Sequence, residues 1–219
     1  MKLKLDIFNI FKKLRKHKIV KNYEKREAII SFIVWNRLKK SLHKKVIDPI
    51  LIKKEINQFK NLLRKEDMCT LLNEVSKYCC TQNSQLSEMF RKLEWRKYKI
   101  NINSVGVVAP ELGDLPKCAL VGDLSDTAYF VKNHRHYKSS KYIKKLTKLC
   151  SLLDKVPPII IDSDYLNQRK KLPCAKFTKY YIEDGNHRAI AYTLCKNKCK
   201  ITAFVGSKRG ISFTRFFFM

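Results

Sequence analysis

The chain has 219 residues, room for one large domain or two small ones, and its 45% hydrophobic content is enough for a packed core. Its 47 lysines and arginines against 19 aspartates and glutamates leave a formal charge of +28, which favours an anionic partner, either nucleic acid or an acidic membrane surface. Lysine abounds along the whole chain, so the charge speaks for general electrostatic attraction more than for one specific site.

Residues 1–17 read as a basic amphipathic helix with Leu3, Ile7, Phe11 and Leu14 on one face, expected to pack on the rest of the chain. Residues 24–43 read as a second helix. It is apolar on nearly every face through Ala28, Ile29, Ile30, Phe32, Ile33, Val34 and Trp35, so its first half is expected at the centre of a core. Asp48-Pro49 pairs a capping residue with proline at the first helical position, and Ile52, Ile56, Phe59 and Leu63 follow as one stripe. Asp67 opens a helix through Leu71, Leu72, Val75 and Tyr78; Ser84 opens another through Leu86, Phe90 and Leu93. Residues 1–93 are therefore expected to be a basic, all-helical region.

Near Trp95 the period changes from helical to alternating. Tyr98, Ile100 and Ile102, set against lysine and asparagine, predict a strand over 97–103. Residues 105–122, with three glycines and two prolines, read as short strands and turns. Residues 123–136 read as an irregular polar segment. Ser139 or Ser140 is expected to cap a helix carrying Tyr142, Ile143, Leu146, Leu149, Cys150 and Leu153, with Pro157-Pro158 ending it. Ile159-Ile160-Ile161 is a short, wholly apolar strand of the buried kind. A strand over 179–184, a helix and a closing strand over 200–205 follow, and Phe216-Phe217-Phe218 either packs at the sheet edge or forms an exposed apolar tail. The expected fold is α+β, with a basic helical region over 1–93 and a small mixed α/β domain over 94–219.

The densest chemistry lies between Tyr180 and Tyr192. Alternation up to Asp184 gives way to helical spacing at Ile190, Ala191, Leu194 and Cys195, so Asp184-Gly185-Asn186 is a strand-to-helix turn. Asn186 fits the N-cap, and His187 and Arg188 fall in the first helical turn. Cations there oppose the helix dipole unless an anion joins them, so Gly185, Asn186, His187 and Arg188 are read as a phosphate-binding set. The plain alternative is an Asp-Gly hairpin turn with His-Arg as a solvated corner, and the helical spacing that follows disfavours it. Asp184 suits either a Mg²⁺ ligand and proton acceptor or an Asx-turn residue before glycine. His187 suits acid–base work near neutral pH. Asp184 and His187 are thus the candidate catalytic residues, with Glu111, Asp114, Asp123, Asp126 and Asp162 as further acids that the sequence does not rank. His134-Arg135-His136 with Lys138 either adds phosphate contacts or is a solvated basic loop. There is no nucleophile-elbow signature and no glycine-rich Walker loop.

Asp184-Gly185-Asn186-His187-Arg188, after a β-rich segment and before a small-residue helix, resembles the ParB/sulfiredoxin superfamily over roughly residues 95–205. Within it the chain is most similar to the Asp-Gly-x-His-Arg form of the free serine kinases. Asn186 stands where sulfiredoxins carry their nucleophilic cysteine, and the Glu-Arg pair of the ParB box is missing. The resemblance implies a nucleotide di- or triphosphate as ligand, with Mg²⁺-dependent phosphoryl transfer or nucleotide hydrolysis as the activity. Its ParB side implies instead a nucleic-acid-binding protein that grips its partner through the basic helical region.

Eight cysteines are too few and scattered for a disulfide scaffold. Adjacent Cys79-Cys80 and the pair Cys195 and Cys199 lack a second pair at zinc-finger spacing, so buried free thiols in a reducing compartment are expected. No signal-peptide pattern is seen, and the longest charge-free apolar run, 28–36, is too short to span a bilayer, so an intracellular, soluble protein is expected.

Overall fold

Helix α1 (residues 22–39) is where the apolar run near the N-terminus goes. Ala28, Ile29, Ile30, Phe32, Ile33 and Val34 are at most 1% exposed, because a helix apolar all round is stable only when it is surrounded. The structure is a computed structural model that describes residues 22–39, 42, 48–78, 84–107, 114–116, 122–162, 178–196 and 199–208. The expected helix over 1–17, Cys79-Cys80, Glu111 and the Phe216–Phe218 run lie outside the described residues.

Three helices follow α1 much as their caps dictate. Helix α2 (Pro49–Leu63) starts where Asp48 Oδ1 accepts from the backbone N–H of Ile50 at 2.8 Å. Helix α3 (Met68–Tyr78) starts where Asp67 accepts from Thr70 N–H at 2.9 Å, and helix α4 is Ser84–Lys92. At the far end of α2, the Arg26 guanidinium donates to the Arg64 carbonyl at 2.8 Å, serving acceptors that a helix end leaves open. Phe32, Phe90 and Trp95 then join α1 and α4 to the first strand, with ring centroids 6.1 and 4.7 Å apart in turn.

Five strands form one mixed sheet: β1 (Glu94–Asn101), β2 (Val105–Val107), β3 (Ile159–Asp162), β4 (Tyr180–Asp184) and β5 (Lys200–Ser207), in the order β1-β5-β3-β4-β2. The β1/β5 and β3/β4 pairs are antiparallel; β3/β5 and β2/β4 are parallel. Strand β3 is interior, and Ile159, Ile160 and Ile161 are fully buried, which is worth roughly 1.5–3 kcal/mol per side chain. The first strand stops at Asn101 because the Asn101 side chain accepts from Asn103 N–H at 3.0 Å and turns the chain into a single 3₁₀ turn, Ile102–Ser104.

The structure departs from the sequence reading between 123 and 136. That segment is not irregular but holds helix α5 (Leu124–Asn133). Asp123 and Asp126 form a reciprocal capping box, and Leu124, Thr127, Ala128 and Val131 are buried on one face. The box uses aspartate at its third position, where glutamate or glutamine is the usual signal, and the apolar face is short. Helix α6 (Lys138–Thr147), the single turn α7 (Cys150–Leu153) and helix α8 (Asn186–Lys196) complete the helices described here; α8 packs on α5, α6 and α7.

A second correction concerns the cysteines. Cys150 and Cys195 are joined in a disulfide that links α7 to α8, whereas Cys69 and Cys199 are free and exposed. The two partners lie 45 residues apart on separate elements, so no local spacing marks them as a pair.

The fold is α+β, and among the described residues no strand precedes Glu94. One buried cluster nevertheless contains Ile29 and Phe90 from the helical part together with Ile160 and Val205 from the sheet, so the core crosses the change in secondary structure. No helix among the described residues is long and apolar enough to cross a membrane.

Candidate functional site

Asp184 ends β4 and the next residue but one begins α8, so the chain turns through Gly185 alone. Gly185 has φ +97°, and a Cβ there would lie 2.6 Å from Nε and Nη2 of Arg188. Only glycine meets both demands. The Gly185 carbonyl accepts from Ala189 N–H at 2.9 Å, which makes Gly185 the residue that caps α8. Asn186 was expected at the cap; it is instead the first helical residue, 2% exposed. The sharp turn that a positive φ allows lets the helix start one residue sooner.

Arg188 does not face an open pocket. It is 1% exposed, its guanidinium pairs with the Asp184 carboxylate, and Nη1 donates to the Val156 carbonyl at 3.1 Å. Its Cζ lies 4.6 Å from the centre of the Trp35 ring. The anion that a cation at a helix N-terminus calls for is thus supplied from within, by Asp184. Arg188 ties α1, the approach to β3 and the end of β4 into one joint behind the site.

His187 points the other way. It is half-buried and sits edge-on to Tyr142, ring centroids 5.2 Å apart. Together they border a cleft of about 630 Å³ whose remaining lining is Ser139 and four lysines: Lys39, Lys138, Lys141 and Lys145. Lys39 ends α1, and the other three lie along α6 at i, i+3 and i+7, one face of that helix. Among the described residues that line the cleft there is no carboxylate, so that lining concentrates positive charge around a histidine. The polar stripe of α6 was visible as sequence opposite Ile143 and Leu146, but Lys39 carried no local signal at all.

Three of the remaining acids have structural work. Asp123 and Asp126 hold the α5 capping box. Asp114 accepts from Ser139 N–H at 2.9 Å and also from the Ser139 hydroxyl, so a carboxylate from a distant loop serves the N-terminus of α6. Partial burial raises the Asp114 carboxyl, but the Ser139 hydroxyl and amide outweigh it and hold the group below its ordinary value. Ser139 or Ser140 was expected to cap; both lie inside α6, whose N-cap is Tyr137, and Ser139 donates to Asp114 instead of accepting. Asp162 ends β3 and is half-buried.

A Mg²⁺ site at Asp184 does not fit this donor set. The carboxylate is committed to Arg188, and among the described residues no three His, Cys, Asp or Glu side chains come together as a metal-binding group. Of the expected phosphate set, then, His187 opens into the cleft, while Gly185, Asn186 and Arg188 build the turn that places it. No protein-family model matches the chain, and no curated protein and no solved structure shows significant similarity to it.

Proposed function

We propose that this protein binds nucleotides or other phosphate-bearing ligands in the cleft between α6 and the N-terminus of α8, as a ParB/sulfiredoxin-like chain whose turn positions His187. The observation that carries the reading is the convergence of Lys39, Lys138, Lys141 and Lys145 with His187 in one cleft. Ammonium groups suit phosphate as point charges, and a neutral or charged imidazole can donate to a phosphate oxygen. Phosphoryl transfer or hydrolysis would require a base, and His187 is the imidazole among the described lining side chains. We place the protein inside the cell, where nucleotides are abundant.

Calorimetry with ATP, ADP and pyrophosphate, with and without Mg²⁺, tests this reading. Wild type is expected to bind without needing Mg²⁺. Lys141→Gln/Lys145→Gln and His187→Ala are each expected to weaken binding about tenfold or more, the loss of one or two charge-assisted contacts. Absence of binding by wild type, or unchanged affinity in both variants, overturns it.

A further inference from the structure

The corner between α5 and α6 carries a second group of side chains beside the cleft. His134 stacks on Phe130 with ring centroids 4.0 Å apart and planes 10° from parallel. Its Nδ1 lies 3.0 Å from the Phe130 carbonyl, which can only accept, so Nδ1 carries the proton in that bond. One face of the ring is covered by Phe130, and His134 as a whole remains exposed. His136 is also exposed and lies 4.0 Å from the Tyr137 ring centroid, and the two histidine rings are 6.2 Å apart. The two histidine planes stand 73° apart, so the corner presents two backed rings set edge to face, each able to take a base splayed out from its neighbour.

The rings run directly into the lysines. Between Lys132 and Lys148 the chain has seven lysines and arginines and no aspartate or glutamate. Lys138 lines the cleft one residue after Tyr137, and Lys141 and Lys145 continue along the same helical face. From Lys138 to Lys145 the row covers about 10 Å of helix axis. A single nucleotide needs one ring and one cluster of phosphate contacts. Two backed rings followed by a row of cations repeat that unit, which is the arrangement a polymer of nucleotides uses. The rings become useful only if the bases are unstacked and unpaired, because a duplex hides base faces from side chains.

We propose that the α5–α6 corner and the lysine row of α6 bind single-stranded nucleic acid, with bases stacked on His134 and His136 and the phosphodiester backbone led along Lys138, Lys141 and Lys145 into the cleft. This rests on the reading of the cleft as a phosphate site and names its ligand class. The rings select single strands, and the lysines supply sequence-independent affinity that falls with salt.

Fluorescence anisotropy of a labelled 12-nucleotide single strand tests it, alongside the matching duplex, calorimetry with pyrophosphate, and co-sedimentation with vesicles containing an anionic phospholipid. The single strand is expected to bind at least tenfold more tightly than the duplex. His134→Ala/His136→Ala, confirmed as folded by a thermal melt, is expected to lose at least tenfold for the single strand and nothing for pyrophosphate, which has no base to stack. Lys141→Gln/Lys145→Gln is expected to weaken both ligands and to reduce the slope of log affinity against log salt by about 1.4, two single-strand phosphate contacts. Equal duplex binding, full single-strand affinity in the histidine variant, or binding to the vesicles but not to the oligonucleotide overturns the proposal. If pyrophosphate still binds in those cases, the cleft reading stands by itself; if neither pyrophosphate nor oligonucleotide binds, both fall.

Discussion

Arg188 is an arginine whose position in the sequence suggests ligand binding and whose surroundings make it part of the frame. With 1% exposure, an ion pair to Asp184 and Trp35 beneath its plane, it has no surface left to offer. Removing one member of a buried pair strands the other charge, at a cost of roughly 3–5 kcal/mol. Arg188→Ala should therefore lower unfolding free energy by about that amount in urea titrations, with any loss of ligand following from instability. Arg188→Lys should recover little of it, since an ammonium cannot span the carboxylate, the Val156 carbonyl and the Trp35 ring face together. A variant that stayed as stable as wild type and lost only phosphate affinity would return Arg188 to the binding site.

At the scale of elements, α5 and α6 are each started by an aspartate, but by different means. Asp123 caps α5 from the adjoining position, whereas Asp114 reaches α6 from a loop that precedes α5. Asp123→Ala should cost about 1 kcal/mol of stability, as the loss of an N-cap does, read from the shift in denaturant midpoint. Asp114 adds an acid-side dependence whose sign is set by its depressed folded pKa. Its stabilisation is complete above the ordinary aspartate value of 3.8 and is lost as pH falls through the lower folded value. Asp114→Asn should flatten this part of the stability profile below pH 4, which thermal melts from pH 2.5 to 5 would show. Because Ser139 both takes this cap and borders the cleft, the loop of Asp114 helps set where the α6 lysines stand.

Over the whole molecule, one disulfide and a large charge act on different terms. The Cys150–Cys195 bond closes a loop with a sequence separation of 45 residues, worth about 4 kcal/mol if stabilisation is counted as loop entropy removed from the unfolded chain. Reductant, or Cys150→Ser/Cys195→Ser, should lower the denaturant midpoint accordingly, and the variant should no longer respond to reductant. The bond also fixes α7, just beyond α6, to the later part of α8, whose first turn carries His187. A charge of +28 works against compaction through self-repulsion, so added salt should raise stability even as it weakens anion binding.

What the sequence determined alone was the part of this protein governed by short-range physics. Asp48-Pro49 starts α2, Asp67 starts α3, the change of period near Trp95 announces β1, which begins at Glu94 rather than at the expected 97 and ends at Asn101 rather than at 103, and Tyr180 through Lys196 reads as strand, turn and helix. Caps, dihedral limits and side-chain periods act over a few residues, so they are written where they act. It also placed His187 and Arg188 together in one helical turn but could not say which would face solvent. That was decided by Trp35 and Val156, brought against the turn from α1 and from the approach to β3. The pairing of Cys150 with Cys195, the arrival of Lys39 at the cleft that Lys141 lines, and the service of α6 by Asp114 likewise depend on contacts between segments far apart in the chain. Such contacts form because packing one continuous core brings those segments together, and no local pattern records which side chains will meet there.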